Sequence, residues 1–590
     1  MLEYNSYFIN EILKKYLVPT IVVLLEVSSV AFYNTLIVGR MLGSDALAVM
    51  SLTSSFTFLY YMFGCLINIG AAIAASVALG QNNLTKVGKL EGFAFVSSLV
   101  IPALISGVLL LFLHPVMTFL GADASLFALS KTYVCITLAL GVVHTLMYFP
   151  FNFLRVDGRS KIATGVFALM AVLDFVSVYA VLRLGFGLTG VGYATMLSAL
   201  FADVVGVLIL FFGKDRQITP KKVPLSEVVF LAKEVFQFGS SSGLNNLWNM
   251  LRTMVLNKLV VVAFGTGGLA AFGVACSVIN LTNATTLGVG QTTAPLVGVF
   301  YGERDKKSIL MLIRSSAKVS VLIHLVIFAG LFAFAPYVAA AFGITEALLA
   351  DTVWLIRWTA LGLISAGMVN VYIQAYATLK HVVLSNVLAF LRSFGLVVCF
   401  ALLLLNSPVP NFYIVAFLLG DVCTILAMYL VSDVLNKKRR KTSGLLMLEK
   451  SMDDGVYLSF SVSADKEGAA RAAEKIEAFC EENDFSPKLS MGIPLAVEEI
   501  VSVMSERCLL NHPEKYSDVR IFKSGEDVLI RVRCGGEYFD PVEWYRKKLE
   551  VLSPEEWLDD PSMGIKLIND MSKEIRFSRT FGVNNLVAVL

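Results

Sequence analysis

Four acidic residues lie well inside long apolar stretches of the 590-residue sequence, namely Glu26, Asp174, Asp203 and Asp421. A carboxylate at the centre of a lipid bilayer costs about 2.5–3.5 kcal/mol on insertion scales. Each of these side chains therefore needs a hydrogen-bonding partner, a hydrated cavity or a bound proton. Such groups are typical of ion and substrate pathways, and the competing interpretation is a packing contact with a neighbouring helix.

Basic and metal-binding side chains in the same stretches are few. Arg252, Arg357 and Arg392 supply positive charge, because buried arginine stays protonated. They are candidate partners of the intramembrane aspartates, and the sequence does not determine the pairing. His144 and His324 have no second metal-ligand type at helical spacing, so we interpret both as packing or hydrogen-bonding residues. We therefore predict no metal site.

The stretches that carry these residues predict a membrane protein. Hydrophobic residues make up 56% of the chain and charged residues only 16%, whereas soluble proteins carry about 25% charged residues. Apolar segments of about 20 residues, the length that crosses a bilayer, recur twelve times before Lys437. We predict spans at 15–39, 46–72, 92–119, 129–154, 162–182, 190–213, 235–264, 269–298, 315–342, 351–378, 382–405 and 411–434. A purely soluble enzyme, a fibrous protein and a disordered chain are excluded.

The distribution of basic residues predicts the orientation of these spans. Of the 30 lysines and arginines before Thr442, 22 fall in or beside the loops on one side, and only Arg40, Lys131 and Arg183 fall in loops on the other. Because cytoplasmic loops of membrane proteins are rich in Lys and Arg, both termini are predicted to be cytoplasmic. We expect a multi-pass protein of the cell membrane.

An internal repeat divides the membrane region into two halves. Gly43 and Gly80 are separated by 37 residues, as are Gly265 and Gly302, and an offset of 222 residues relates the two pairs. A shift across six helices preserves topology, so the halves are parallel repeats. We predict an N-terminal lobe at 10–213, a linker at 214–234 and a C-terminal lobe at 235–436. Such a body is typical of an alternating-access carrier.

Three segments of the sequence carry a family resemblance. They are NTLIVGRMLGSDALAVMSLTSS (34–55), LDFVSVYAVLRLGFGLTGVGYATML (173–197) and LGVGQTTAPLVGVFYGERDKK (287–307). These segments resemble the MATE family, the multidrug and toxic compound extrusion transporters, over residues 10–435. The wider superfamily also contains lipid-linked oligosaccharide flippases. The sequence has no G-x-x-x-x-G-K-[ST] phosphate loop, and the resemblance implies ion-coupled antiport.

The resemblance assigns candidate roles in the N-terminal lobe. Asp174 occupies the Leu-Asp position that in this family belongs to a proton or sodium site, which makes it the first candidate for the coupling group. The family's usual acid in the first helix is replaced by Asn34, whose amide cannot carry a proton. Either Glu26, eight residues earlier, substitutes for it, or the site binds an ion such as sodium through neutral oxygens.

In the C-terminal lobe the family pattern is weaker. Three asparagines stand in the region where some family members carry an acid, so a cation site of that type is not expected there: Asn245, Asn246 and Asn249. Gln291 and Pro295 match the family's Q-x-x-x-P pattern, in which proline bends the helix and frees carbonyl groups for a cavity. Together with Asp421 these polar residues are candidates for lining a cavity, and Pro295, Arg357 and Arg392 for structural roles.

After a basic linker at 437–454, the sequence changes character. Residues 442–590 contain 27 acidic and 18 basic residues. From 455 onwards, strand and helix periodicities alternate: a strand at 456–464, helices at 465–484 and 487–509, strands at 517–523 and 528–533, a loop, a helix at 563–571 and strands at 575–579 and 586–590. The predicted fold class is therefore an all-α polytopic membrane protein with twelve transmembrane helices in two parallel repeats, plus a C-terminal cytoplasmic α/β sandwich.

Three segments of this region resemble the histidine-kinase-like ATPase fold, in its anti-sigma-factor serine-kinase branch. They are LAVEEIVSVMSE, RCGGEYFDP and SMGIKLINDMSKEIRFSRTFGVNNLVAVL. In that branch a Glu is followed four residues later by an Asn that ligates magnesium, but here Glu499 is followed by Val503. Cys534 replaces the aspartate that reads the adenine amino group.

Other parts of the nucleotide motifs persist. Gly536 and Asp540 keep their positions, whereas the glycine-rich turn around Gly564 has lost one of its two glycines. Loss of these polar contacts predicts a retained fold without catalytic activity that binds ATP weakly or not at all. We therefore expect no cofactor, apart from a sodium ion if sodium rather than a proton is the coupling ion.

The leading prediction is an ion-coupled secondary antiporter, not an enzyme, that exports small organic compounds and is regulated through its C-terminal domain. The alternatives are a flippase for lipid-linked glycans or lipids, and a membrane sensor that recruits a cytosolic regulator. The predicted partners are a small-molecule substrate, the lipid bilayer and a cytosolic regulatory protein at the C-terminal domain. No nucleic-acid partner is expected.

Overall fold

The structure is a computed structural model that describes residues 6–42, 44–119, 124–213, 216, 218–342, 346–405, 411–440, 442–452, 455–463, 465–509, 516–525, 527–549, 560, 562–580 and 582–590. Within these ranges, twelve helices are long and apolar enough to cross a membrane. The predicted number of spans is thus confirmed, and the chain is a mostly helical, multi-pass membrane protein.

The first six of these helices form the N-terminal lobe. They are α1 (Ser6–Leu42), α2 (44–80), α3 (Leu84–Leu111), α4 (Ala124–Val156), α5 (Ser160–Arg183) and α6 (Gly187–Phe212). Helix α2 consists of Ser44–Gly64, a π-helical turn at Cys65–Ile69, and Gly70–Gly80. A short helix at Leu113–Phe119 lies between α3 and α4.

The next six helices form the C-terminal lobe. They are α7 (Leu225–Gly265), α8 (Gly267–Gly302), α9 (Lys306–Ala341), α10 (Glu346–Thr378), α11 (Val382–Leu404) and α12 (Ala416–Arg439). The break between α7 and α8 lies at Gly265, whose φ of 68° and ψ of −166° suit glycine because it lacks a Cβ. Helix α11 contains a second π turn at Leu391–Gly395. Helix α7 begins at Leu225, inside the segment predicted as the linker.

The two lobes touch at the end of the bundle where α1 begins and α12 ends, which we call the terminal face. The last segment of α2, Gly70–Gly80, is almost fully buried there against α7 and α8. A Cβ atom at Gly70 would lie 2.3 Å from the carbonyl oxygen of Val235. Glycine is therefore required for this close approach of the helices.

Ion pairs add to the contact at the terminal face. Lys86 Nζ of α3 lies 2.7 Å from Glu234 Oε1 of α7, and Lys89 Nζ lies 2.7 Å from Glu227 Oε2. Both pairs join the N-terminal lobe to the first turns of α7. The terminal face is thus closed both by helix packing and by ion pairs between the lobes.

After a small hairpin of β1 (Thr442–Ser443) and β2 (Leu448–Glu449), the C-terminal region forms one sheet. Its strands are β3 (Val456–Ser463), β4 (Tyr516–Ser524), β5 (Asp527–Cys534), β6 (Glu574–Thr580) and β7 (Val583–Val589), antiparallel in the order β3-β4-β5-β7-β6. The helices are α13 (Lys466–Glu482), α14 (Pro487–Leu509), α15 (Pro541–Leu549) and α16 (Met563–Met571). A strand-rich region with helices was predicted here, and the predicted strands and helices agree within a few residues.

Helix α15 was missed, because the sequence analysis assigned a loop to this segment. Asp540 Oδ1 accepts hydrogen bonds from the backbone N–H groups of Val542 and Glu543 at 2.9 and 3.0 Å. Pro541 follows as the first helical residue. An aspartate N-cap followed by proline is a recognised helix-start signal, so this helix was readable from the sequence.

The two faces of the sheet differ in chemistry. Apolar side chains of the central strands pack against α13 and α14 in a buried core that includes Val519, Ile530, Val532 and Leu586. The alternate positions point to the opposite face and are polar: Asp518, Arg520, Arg531, Arg533 and Asn585. This alternation follows from the two-residue period of a strand.

Candidate functional site

A cavity of about 590 Å³ lies inside the N-terminal lobe. Its walls come from α1, α2, α4, α5 and α6, and most of the lining side chains are apolar or aromatic. A few polar groups converge on it, among them Asn34, Thr57, Asp174 and Thr195. A concave, mostly apolar cavity with a small number of polar groups is the usual form of a small-molecule site.

Asp174 is the only carboxylate among the described residues that line this cavity, and its side chain is 1% exposed. One carboxylate oxygen, Oδ2, accepts hydrogen bonds from Tyr33 Oη and Asn34 Nδ2, both at 2.9 Å. Thr195 lies beside the same carboxylate. The other oxygen, Oδ1, has no hydrogen-bond partner among the described residues.

The charge of Asp174 is not neutralised by a basic side chain. Among the described residues, none places a Lys or Arg nitrogen within ion-pair distance of its carboxylate. Neutral donors stabilise an ionised carboxylate less than a guanidinium does. Within the described part of the chain, the carboxylate of Asp174 is therefore held by neutral donors alone.

Asn34 and Glu26 are placed differently by the structure. The amide of Asn34 contacts Asp174, and its Oδ1 atom is buried without a partner among the described residues. Glu26 does not line the described cavity, although one of its carboxylate oxygens is buried and unpaired. Asn34 and Asp174 thus share one site, and Glu26 lies apart from it.

Sequence reasoning missed several cavity residues. Tyr33 was not singled out, although it stands next to Asn34 and donates to the same carboxylate. His144 was interpreted as a packing or hydrogen-bonding residue and was not assigned to a cavity, whereas the structure places it in the cavity wall with its ring centroid 5.4 Å from that of Tyr61. Its helical position relative to the cavity depends on how α2 and α4 pack, and no local motif indicated it.

The C-terminal lobe contains a different polar cluster. Arg392 Nε of α11 lies 2.9 Å from Asp421 Oδ1 of α12, and Ser365 donates to Asp421 Oδ2 at 3.3 Å. Arg252 of α7 donates to the carbonyl oxygen of Ser393 at 3.3 Å. Of the three predicted counter-charges, Arg392 is therefore the one that pairs with an intramembrane aspartate.

The third arginine takes no part in this cluster. Arg357 donates to the carbonyl oxygen of Phe332 at 3.2 Å, and its guanidinium lies 4.6 Å from the centre of the Phe332 ring. A cation over an aromatic ring is a stable arrangement without an acidic partner. Its contacts join α9 and α10.

The asparagines of α7 lie along the interior of the C-terminal lobe. Asn245 Oδ1 accepts from Ser393 Oγ at 2.6 Å, and Asn246 Nδ2 lies 3.5 Å from the sulfur of Cys65 in the π turn of α2. The carbonyl oxygen of Asn249 accepts from Thr253. None of the three lines the described cavity of the N-terminal lobe.

Gln291 belongs to the contact between the lobes, and Pro295 follows it in α8. The backbone oxygen of Gln291 accepts from Arg155 of α4 at 3.4 Å, and its side chain is 7% exposed. Pro295 lies inside α8, which continues to Gly302. Neither residue lines the N-terminal cavity.

In the C-terminal region, an internal contact fills part of the predicted nucleotide site. The carboxylate of Glu499 accepts from the backbone N–H of Gly564 at the start of α16, and burial raises the pKa of Glu499. Val503 and Cys534 are buried in place of the expected polar groups. Gly536 has a φ of 81°, and Asp540 caps α15.

Metal-ligating residues do not cluster in the described part of the chain. No group of three or more His, Cys, Asp or Glu side chains there could hold a metal ion. None of the eight cysteines forms a disulfide bond.

Comparison with known proteins identifies the family. A family model described as MatE matches residues 19–180 and 241–403, one segment in each lobe. The chain belongs to the MatE family. The predicted resemblance is thereby confirmed for the membrane region, and the two matched segments fall in the two repeats.

Named relatives of the chain are multidrug proteins. It is 26% identical to the probable multidrug resistance protein NorM of Photorhabdus laumondii over 332 residues, covering 53% of this chain and 71% of that protein. It is 22% identical to the multidrug export protein MepA of Staphylococcus aureus over 271 residues, covering 45% of this chain. The alignment spans 58% of the length of MepA.

Solved structures share the fold of the membrane region. A MATE crystal structure in complex with MaL6 superposes with a TM-score of 0.68 at 20% identity, covering 74% of this chain and 98% of the other. A MOP superfamily transporter from Pyrococcus furiosus gives a TM-score of 0.68 at 20% identity, covering 74% and 97% of the two chains. These similarities establish a MATE-like arrangement of the twelve helices.

Proposed function

We propose that this protein is an ion-coupled secondary antiporter that exports small organic, drug-like compounds across the cell membrane. The observation that carries the proposal is the carboxylate of Asp174, which faces an apolar cavity and has only neutral hydrogen-bond donors around it. Membership of the MatE family and the names of the multidrug relatives support the same function.

Coupling at Asp174 follows from competition between two charge states. When the carboxylate is ionised, Tyr33 and Asn34 stabilise it by hydrogen bonds, and an organic cation in the cavity gains a counter-charge. When a proton neutralises the carboxylate, this attraction is lost and the cation is released. Substrate and proton thus bind to alternative states of one group, which is the requirement for antiport.

Sodium fits the same site as an alternative coupling ion. Asp174 Oδ1 and Asn34 Oδ1 are buried oxygens without hydrogen-bond partners among the described residues. Oxygen ligands of this kind suit a hard cation. Sodium would compete with an organic cation for the carboxylate as a proton does.

The decisive experiment measures uptake of a fluorescent organic cation into everted membrane vesicles. Proton and sodium gradients are imposed separately, with vesicles lacking the protein as the control. Uptake driven by one gradient supports the proposal and identifies the ion. Absence of uptake for a panel of organic cations under both gradients would argue for the flippase alternative.

We further propose that the terminal face is cytoplasmic and that both termini lie there, as the excess of basic residues on that side suggests. A cysteine at the exposed position Lys222 should then resist a membrane-impermeant thiol reagent in intact cells. A cysteine at Leu184, which is 73% exposed in the loop between α5 and α6, should react. The reverse labelling pattern would invert the orientation.

For the C-terminal region we propose a histidine-kinase-like ATPase fold that has lost nucleotide binding and regulates transport. An antiparallel sheet with helices on one face fits that fold. The carboxylate of Glu499 occupies the start of α16, where a phosphate would otherwise bind, and Val503 offers no magnesium ligand. Calorimetric titration of the full-length protein with ATP, with and without magnesium, tests the loss of nucleotide binding.

A further inference from the structure

The polar face of the C-terminal sheet is covered by the transporter itself. Arg531 of β5 lies 2.6 Å from Glu303 Oε2 and 2.7 Å from Asp305 Oδ2, both in the loop between α8 and α9. Arg520 of β4 lies 2.6 Å from Asp305 Oδ1, and Asn585 of β7 donates to Glu303 Oε1 at 3.2 Å. Side chains from three strands of the sheet therefore bind one loop of the C-terminal lobe.

This contact is buried and its charges are balanced. The three arginines are at most 9% exposed, and three guanidinium groups face three carboxylates: Arg520, Arg531 and Arg533 against Glu303, Asp305 and Asp518. Burial opposes ionisation of Asp305, but the neighbouring guanidinium groups hold the pKa of its carboxyl well below its usual range. Removal of one partner leaves an unpaired buried charge, so the cluster favours a docked domain.

The same domain also reaches the N-terminal lobe. Val583, at the start of β7, belongs to a buried apolar cluster with Leu13 and Tyr16 of α1. A Cβ atom at Gly582 would lie 2.9 Å from Lys15 Nζ. Strand β6 lies against the last segment of α2. The domain thus bridges both lobes over the terminal face, where α2 and α8 are in contact.

We propose that the C-terminal domain is an autoinhibitory clamp that holds the cytoplasmic side of the transporter closed. This inference rests on the proposed function, because alternating access requires the lobes to separate at that side. A domain anchored both on the α8–α9 loop of one lobe and on α1 of the other opposes that separation. Opening therefore requires release of the arginine cluster from Glu303 and Asp305.

The variants for the test are chosen from opposite sides of the contact. Glu303→Arg places a third cationic partner against Arg531 and Arg533, and Arg531→Glu places an acid against Glu303 and Asp305. The double variant Glu303→Arg with Arg531→Glu restores opposite charges. Asp305 is left unchanged because it also caps α9 through the N–H of Ser308. Asp527→Lys breaks the exposed ion pair with Lys573 in the same domain and is the matched control.

The first measurement follows opening of the cytoplasmic side without any substrate. Ser76 of α2 is fully buried against α8, so a cysteine at this position reports separation of the lobes. Labelling of Ser76→Cys by a thiol reagent in everted vesicles is quantified by mass spectrometry of the peptide that carries it. We expect both single charge variants to label at least tenfold faster than the parent, the double variant to label more slowly than either, and Asp527→Lys to match the parent.

The second measurement is gradient-driven uptake of an organic cation by the same vesicles. We expect both single variants to transport faster than the parent and the double variant to return towards the parent rate. Unchanged labelling in both single variants would overturn the clamp, as would slower transport with faster labelling. Faster labelling in a protein that transports no tested cation would support the clamp and contradict the proposed function, so the two failures are distinguishable.

Discussion

Gly80 and Gly302 face each other across the two lobes, although 222 residues separate them in the chain. A Cβ atom at Gly80 would lie 2.1 Å from the carbonyl oxygen of Val299 and 3.0 Å from the Cα atom of Gly302, and one at Gly302 would lie 2.3 Å from the carbonyl oxygen of Val77. The offset that defines the repeat thus relates two residues that touch on the pseudo-symmetry axis. Their lack of side chains allows α2 and α8 to close the terminal face.

We predict that Gly80→Ala weakens this closure. Alanine normally stabilises a helix by about 0.5–1 kcal/mol relative to glycine, but here its Cβ would collide with backbone atoms that cannot rotate away. Labelling of a cysteine at position 76 should therefore accelerate. Gly107→Ala in α3 is the control, since nothing lies within 4 Å of its added Cβ. Equal labelling rates of the cysteine at position 76 in Gly80→Ala and Gly107→Ala would contradict the predicted role of the glycine contact.

Asp174→Asn should abolish gradient-driven transport while leaving the protein folded. The amide oxygen can still accept hydrogen bonds from Tyr33 and Asn34, but the side chain no longer exchanges a proton or attracts a cation. Uptake in everted vesicles gives the activity, and thermal unfolding in detergent gives the stability. Transport at the parent rate would exclude Asp174 as the coupling group and direct attention to Glu26.

Neutralising Asp421, the acid of the C-terminal lobe, should destabilise the protein, whereas Asp174→Asn should leave it folded. Asp421→Asn removes the buried carboxylate that pairs with Arg392 and leaves that partly buried guanidinium without this counter-charge. Loss of one partner of a buried ion pair costs about 3–5 kcal/mol. We expect the melting temperature of Asp421→Asn to fall clearly below that of Asp174→Asn, whose carboxylate has no basic partner. A larger loss of stability in Asp174→Asn would show that Asp174 is the structural acid.

ATP should bind weakly or not at all to the purified full-length protein. Val503 cannot ligate magnesium, and the sulfur of Cys534 is only a weak acceptor in place of the carboxylate that reads the adenine amino group. A charge-assisted hydrogen bond is worth roughly 1.5–3 kcal/mol, which corresponds to about one to two decades of affinity. Losing two such contacts would move a micromolar site towards the millimolar range. Calorimetry with and without magnesium measures the affinity of the protein for ATP. A micromolar, magnesium-dependent affinity would refute the loss of nucleotide binding.

The sequence alone determined the large-scale organisation of this protein. Twelve apolar stretches and the 222-residue offset gave the number of helices and the two lobes, because the thickness of a bilayer fixes the length of a spanning helix. The MATE resemblance also identified Asp174 and Asn34, which the structure brings together at 2.9 Å. Alternating apolar and polar residues predicted the strands of the C-terminal sheet, because successive side chains of a strand point to opposite faces.

Contacts between distant segments were decided by the tertiary structure. The sequence could not select Arg392 over Arg252 or Arg357 as the partner of Asp421, since all three are long cationic side chains in similar apolar surroundings. The inward position of His144 and the docking of Arg531 on Glu303 likewise depend on how helices and domains pack. Residues separated by 228 positions carry no local periodicity that relates them, and only the folded chain places their charges 2.6 Å apart.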